Sequence, residues 1–147
     1  MSHEAELLIL DEPTSGLDVV LRRTILDRLR QFVANGDRTV VLASHITDGL
    51  EEIAEYVNFL DDGKIVLQSG SDELLAQWKR IHYREGALSP SLVRQLADVR
   101  EHPFAHSGLT GDFQAIREQL AAGIASGDVK VENARLDEIL IAMLKGA

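Results

Sequence analysis

Two pairs of polar residues stand where apolar strands should end. Asp11-Glu12 follows the run Leu7-Leu8-Ile9-Leu10, and Ser44-His45 follows Thr39-Val40-Val41-Leu42-Ala43. Adjacent carboxylates at the end of an apolar strand are costly to desolvate unless a cation or a reacting water uses them. Side chains alternate along a strand, so Asp11 and Glu12 can take different jobs. One can orient a hydrated Mg²⁺ while the other polarises an attacking water. A histidine in the same crevice can donate a hydrogen bond to a transferring phosphoryl group. In open α/β sheets the ligand crevice lies outside the carboxyl ends of the strands, which is where both pairs fall.

The elements that must position these pairs are legible in outline. Unbroken apolar runs of this length predict strands buried on both faces of a parallel sheet. Pro13 cannot donate to a ladder and ends the first one. Asp18 is placed to cap a helix over 19–35, with Leu21, Ile25, Leu26, Leu29, Phe32 and Val33 at helical spacing and Gly36 as its stop. A second helix is predicted over 47–56. Residues 57–60 and 64–67 flank Asp61-Asp62-Gly63, a hairpin signal. Ser71 is predicted to cap a helix reaching about Arg80, with Asp72 and Glu73 at the favourable end of its dipole.

From His82 onward the pattern changes. Ser89-Pro90 opens a predicted helix through about Val99, and a strand is expected over 104–109. Phe113, Ile116 and Leu120 mark a helix to about Ala122, and Val129–Val131 a short strand. Leu136, Ile139, Leu140, Met143 and Leu144 form the apolar stripe of a last helix. The expected organisation is α/β over 1–81, followed by a small α+β appendage over 82–147.

Bulk properties narrow the function classes. The chain has 147 residues, no cysteine and a formal net charge of −9. A disulfide framework and a thiolate metal site are excluded, and the charge argues against a nucleic-acid binder. Residues 1–81 carry 15 acidic and 8 basic side chains, and 82–147 carry 9 and 7. No apolar run approaches the ~20 residues that cross a bilayer.

Over residues 5–79 the chain resembles the ATP-binding subunits of ABC transporters. Leu7–Glu12 is similar to their Walker B strand, Pro13–Asp18 to the D-loop, and Ser44-His45 to the switch-histidine loop. Phe59–Val66, with Gly70 and Glu73–Leu75, resembles the hairpin and helix that follow. The resemblance implies the C-terminal part of a P-loop ATPase, with a parallel-sheet core that lacks the phosphate-loop strand. It also implies roles. Glu12 would be the general base and His45 the γ-phosphate sensor, with Mg²⁺ held through water by Asp11. Ser15, Gly16, Leu17 and Asp18 would touch the opposite subunit of an ATP-sandwiched dimer. ATP and Mg²⁺ would belong to the complete subunit. Its partners would be a second ATPase subunit and a transmembrane transporter subunit, at the cytoplasmic face of the membrane.

Two departures qualify this. Val19 stands where the family commonly has proline, at a small cost in rigidity. No G-x-x-x-x-G-K-[ST] pattern occurs, and the glutamine loop and signature motif are also missing, so the chain is expected to be a C-terminal piece, inactive alone, with Met1-Ser2 an artificial or secondary start. The family's central strand would lie between 39–43 and 57–60. The empty slot leads us to expect self-association through exposed sheet edges: either 57–60 shifts against 39–43, or a second copy lends a strand.

The tail Val129–Leu144 is similar to the ends of bacterial exporter subunits. The alternatives are a non-enzymatic regulatory or dimerisation module and an ABC-like ATPase of chromosome maintenance. Plainer readings apply elsewhere. Arg22-Arg23 and Arg28-Arg30 read as a solvated helix face, and Trp78 and Tyr83 as packing. His102 and His106 are spaced like a metal pair, but Pro103 spoils a helix there, and His3 reads as terminal and disordered.

Overall fold

The computed structural model describes residues 5–103 and 105–145. His3, Met1-Ser2 and Phe104, the first residue of an expected strand, lie outside them. The chain divides into two compact units, Met1–Ala54 and Glu55–Ala147.

The first unit is a β-α-β element. Strand β1 (Leu7–Asp11) and strand β2 (Thr39–Ala43) pair in parallel, joined by helix α1 (Val19–Val33). Asp18 caps α1 as expected, its Oδ1 accepting from the Leu21 amide at 2.9 Å. Leu26 and Leu29 are buried, but Leu21 is exposed. The expectation of two buried strand faces is corrected. Leu8, Leu10, Val40 and Leu42 are half-buried, while Ile9 is 70% exposed and Leu7 and Val41 more than half exposed. The physical reason is that α1 is the one α-helix of this unit, and a single helix covers a single face. The predicted helix over 47–56 shrinks to one 3₁₀ turn, Leu50–Glu52, entered through Gly49 in the left-handed region at φ 83°. Such a residue interrupts an α-helix, and Gly tolerates it at no steric cost.

The second unit opens with an antiparallel hairpin, β3 (Tyr56–Asp61) and β4 (Lys64–Gly70). Asp62 and Gly63 both have positive φ, the geometry that matches the twist of a two-residue hairpin turn. Helix α2 (Ser71–Gln77) follows. Ser71 is its first helical residue, the cap position being Gly70, while Asp72 and Glu73 occupy the first turn as expected. The two hairpin strands form a sheet separate from β1–β2, so the shift of 57–60 against 39–43 is not what the chain adopts. β3 pairs with β4 instead, from Tyr56 to Asp61.

The rest is a four-stranded antiparallel sheet in the order β6-β7-β5-β8. It comprises β5 (Lys79–Tyr83), β6 (Ala97–Glu101), β7 (His106–Thr110) and β8 (Val129–Asn133), with helices α3 (Pro90–Val93), α4 (Phe113–Ser126) and α5 (Leu136–Leu144). Two strands went unpredicted. β5 was assigned to the end of a helix and β6 to the end of another, because Lys-Arg-Ile-His-Tyr and Ala-Asp-Val-Arg-Glu alternate too briefly to reveal a period. The boundary expected between residues 81 and 82 falls inside β5, whose neighbours β7 and β8 both come from downstream. Compactness divides the chain at 54/55, a criterion separate from the motif order behind 81/82.

One sheet face packs Ile81, Tyr83 and Val129 against Leu88, Leu92, Leu96, Ile116 and Leu120. Gly123 sits inside α4 because a Cβ there would collide with Val129 of β8. Tyr83 and the His106 ring stack with centroids 5.5 Å apart. Arg80 is almost fully buried. Its guanidinium donates to Asp98 Oδ2 at 2.9 Å and to Glu138 Oε1 at 2.8 Å, fastening α5 to the sheet. Asp98, at the β6 bulge, adopts φ 44° and also meets Arg100 at 2.6 Å. Burial pushes the Asp98 carboxyl up, and the bonds from Arg80 and Arg100 overcome it and hold it below the usual carboxylate range.

A depressed carboxylate contributes stability above its unfolded-state value and loses it as pH falls through the folded one. Replacing Arg80 by Leu takes the bonded guanidinium from two half-buried carboxylates and leaves them Arg100 alone, and should cost about 3 kcal/mol at pH 7. The deficit should shrink as pH falls and Asp98 protonates, as urea unfolding at neutral and strongly acid pH would reveal. An equal deficit at both would assign the loss to packing.

Candidate functional site

Parallel pairing places the two polar pairs side by side. The register runs from Leu7 against Thr39 to Asp11 against Ala43, so both strands end level. The ladder continues one step further, with the Glu12 amide donating to the Ala43 carbonyl at 2.8 Å. Glu12 then leaves extended geometry: its φ of 47° is left-handed, a conformation that costs a non-glycine residue roughly 1–3 kcal/mol. The strand alternation expected to separate Asp11 from Glu12 is therefore broken by a backbone turn.

That turn aims the Glu12 carboxylate at the end of β2. Its Oε1 accepts from the His45 amide at 2.8 Å and lies 2.6 Å from His45 Nδ1. Its Oε2 accepts from the Ser44 hydroxyl at 3.1 Å. Since a carboxylate only accepts, Nδ1 carries the proton in this contact. The Ser44 hydroxyl also accepts from the Ile46 amide at 3.0 Å, which folds the 44–46 loop back on itself. The His45 ring donation is the largest influence on Glu12 and holds it below the ordinary glutamate value. Partial burial opposes it, and the His45 amide and Ser44 hydroxyl reinforce it.

Residues after Glu12 form two consecutive turns. The Ser15 amide donates to the Glu12 carbonyl at 3.1 Å, and the Leu17 amide to Thr14 at 3.3 Å. Thr14 is buried and Gly16 has φ 73°, so the chain reverses over a fixed base and presents Ser15 and Gly16 to solvent. Leu17 is half-buried. Asp18 is engaged with the first turn of α1.

Asp11 is exposed at the end of β1, and its side chain forms no hydrogen bond among the described residues. A hard oxygen donor of this kind suits Mg²⁺, which keeps several waters and takes one or two protein carboxylates. Among the described residues no group of three or more His, Asp or Glu side chains could hold a metal. A metal at Asp11 would meet an open site rather than a closed cage. The donor set present, carboxylates with a serine and a histidine, fits the metal and water side of a phosphoryl-transfer site.

The structure thus joins Glu12, Ser44 and His45 directly and leaves Asp11 and Ser15–Asp18 adjacent. Arg23, Arg28 and Arg30 are exposed, as a solvated face requires; Arg22 is the exception, and the contacts of Arg22 and Arg30 were not foreseen. The Arg22 side chain is 18% exposed and lies 3.7 Å from Asp48, and Arg30 donates to the Glu52 carbonyl. Their spacing of eight, with buried Leu26 midway, was the available signal.

No protein-family model matches the chain. Curated relatives do. The energy-coupling factor transporter ATP-binding protein EcfA2 of Lactobacillus johnsonii is 31% identical over 98 residues, covering 65% of this chain and 34% of that protein. The lantibiotic transport ATP-binding protein SrtF of Streptococcus pyogenes is 37% identical over 67 residues, covering 46% and 29%. EcfA2 of Streptococcus pyogenes serotype M5 is 28% identical over 123 residues, covering 84% and 43%. The chain spans between 29% and 43% of the length of these relatives.

If the His45 contact governs Glu12, His45→Ala should raise the Glu12 carboxyl toward the ordinary glutamate range. Carbon-detected NMR titration of the side chain would read this. An unchanged midpoint would transfer the effect to Ser44 and the backbone.

Proposed function

We propose that this chain, which belongs to the ABC transporter ATP-binding subunits, contributes the metal- and water-handling half of an ATP-hydrolysis site that powers transport. The observation that carries the reading is the three-point contact of Glu12 with Ser44 and His45 at two level strand ends. In this reading residues 1–81 correspond to the C-terminal half of a nucleotide-binding domain and 82–147 to an appendage. The family's motif order sets that division, and it differs from the division by compactness.

When bound by the complete subunit, ATP supplies the phosphoryl group. Asp11 would hold Mg²⁺ through water. Glu12 would orient the attacking water and take its proton. His45 would donate a hydrogen bond to the transferring group from Nε2, as the doubly protonated imidazolium whose Nδ1–H stays on Glu12. With Ser44 and His45 bonded to it, the Glu12 carboxylate is fixed in position and kept ionised, which is the state a base requires. Ser15 and Gly16, at the tip of an anchored turn, are accessible to a second ATPase subunit, with Leu17 and Asp18 holding the turn to α1.

Among the described residues no helix is long and apolar enough to cross a membrane. Membrane attachment at the cytoplasmic face would therefore run through a transmembrane partner. The direction of transport we propose is export, supported by the strand-then-helix tail Val129–Leu144, observed as β8 and α5. Transport assays in inverted vesicles would decide it, uptake into the lumen supporting export.

Two outcomes test the hydrolytic reading. The isolated chain should not bind Mg-ATP at micromolar concentrations by calorimetry, because phosphate affinity resides largely in backbone cradles and their lysine. In a full-length parent subunit, Glu12→Gln should preserve ATP binding while cutting turnover by at least about a hundredfold. Wild-type turnover in that variant would remove Glu12 from the role of base.

A further inference from the structure

Helix α1 carries Arg22, Leu26 and Arg30 at intervals of four, so they form one stripe along the helix. All three reach the same stretch of chain, the residues just after His45. Arg22 Nη1 lies 3.7 Å from Asp48 Oδ2. Leu26 fills the space beside Gly49, where a Cβ would meet its Cδ1 at 3.0 Å. Arg30 donates to the Glu52 carbonyl. At its other end the same helix holds the turn after Glu12. Asp18 caps it, the Arg22 amide donates to the Asp18 carbonyl at 3.0 Å, and Arg22 Nη2 reaches the Leu17 carbonyl at 3.5 Å.

We propose that Arg22 is a positioning residue that couples the Ser15–Asp18 turn to the loop bearing His45, so that a shift in one is felt by the other. The coupling rests on an incompletely satisfied charge. The Arg22 side chain is 18% exposed, and its Nε is buried without a hydrogen-bond partner. Leaving such a donor unpaired is unfavourable. The acceptors its two terminal nitrogens do meet are long, and they belong to different loops. Each weak contact holds only while the other keeps the guanidinium in place, and that shared dependence links the loops. Only the consequence for turnover depends on the hydrolytic reading above; the coupling itself depends on Arg22 alone.

Asp48 is the point at which to test it, because its side chain is 57% exposed and its loss threatens folding least. In the 147-residue chain, Asp48→Asn should lower hydrogen-exchange protection of the Leu17 amide about threefold or more. It should also lower protection of the His45 amide, since a loosened loop relaxes the bond from that amide to Glu12 Oε1. Asp48→Glu should restore both readouts, and Arg22→Gln should reproduce the Asp48→Asn changes in both segments. If Asp48→Asn perturbs only residues 45–52, with the Leu17 amide unmoved, the coupling is overturned. Should Arg22→Gln fail to fold, the Asp48 pair decides alone. None of these readouts needs ATP, so failure of Glu12→Gln to slow a parent enzyme would sink the hydrolytic reading and leave the coupling standing.

Discussion

The level ending of two parallel strands governs everything the candidate site can do. Asp11 opposite Ala43 is the last regular pair, and the Glu12 amide adds one bond beyond it. A slip by one residue would turn every side chain of β1 to the other face and carry Glu12 away from Ser44 and His45. The left-handed backbone at Glu12 is tolerated because it converts an outward-running strand end into a carboxylate aimed across the sheet. Three hydrogen-bonding groups of Ser44 and His45 then compensate that conformation. Strain at a functional position is sustained only where its surroundings over-determine it, and here the opposing strand end does so.

Helix α1 is the second part of the same construction. Its N-terminus is fixed by Asp18, its middle by Leu26 and Leu29 in the core, and its length by the reach needed from β1 back to β2. Covering one sheet face leaves Ile9 and its neighbours exposed on the other. Patches of this kind mark surfaces meant to be covered. The apolar run is legible as a strand, but a run does not say how many of its faces a neighbour covers, and α1 covers one.

Legibility followed the length of each pattern. Strand β2 and helix α5 stand at their predicted bounds, since five β-branched or apolar residues and a full helical stripe each admit one reading. The Asp62-Gly63 turn announced its hairpin through residues that accept positive φ. Strands β5 and β6 did not, because their inward positions alternate with Lys, Arg and His, and Arg80 is itself buried. A buried arginine is invisible to a hydropathy pattern, and its partners Asp98 and Glu138 lie 18 and 58 residues away. At the site, Glu12 and His45 were legible as strand-end residues. Their direct bond was not, because it depends on a left-handed φ that no residue type in Asp-Glu-Pro-Thr demands.

The same bond decides how the site would respond to a ligand. Glu12 and His45 occupy each other's polar atoms, with the imidazole Nδ1–H directed at the carboxylate and the Ser44 hydroxyl closing the other oxygen. The His45 side chain nevertheless remains 72% exposed, so Nε2, once it too is protonated, can donate to an incoming acceptor without breaking the inner contact. The loop can therefore bind at one face of the ring while Glu12 directs it from the other. An acceptor that drew the ring outward would instead loosen Glu12 and test the turn that follows it. Arg22 touches both neighbourhoods from beneath, through the Leu17 carbonyl and Asp48. Helix α1 thus gives the carboxylate, the histidine and the exposed turn one common support, and a displacement at any of them must be resolved against the other two.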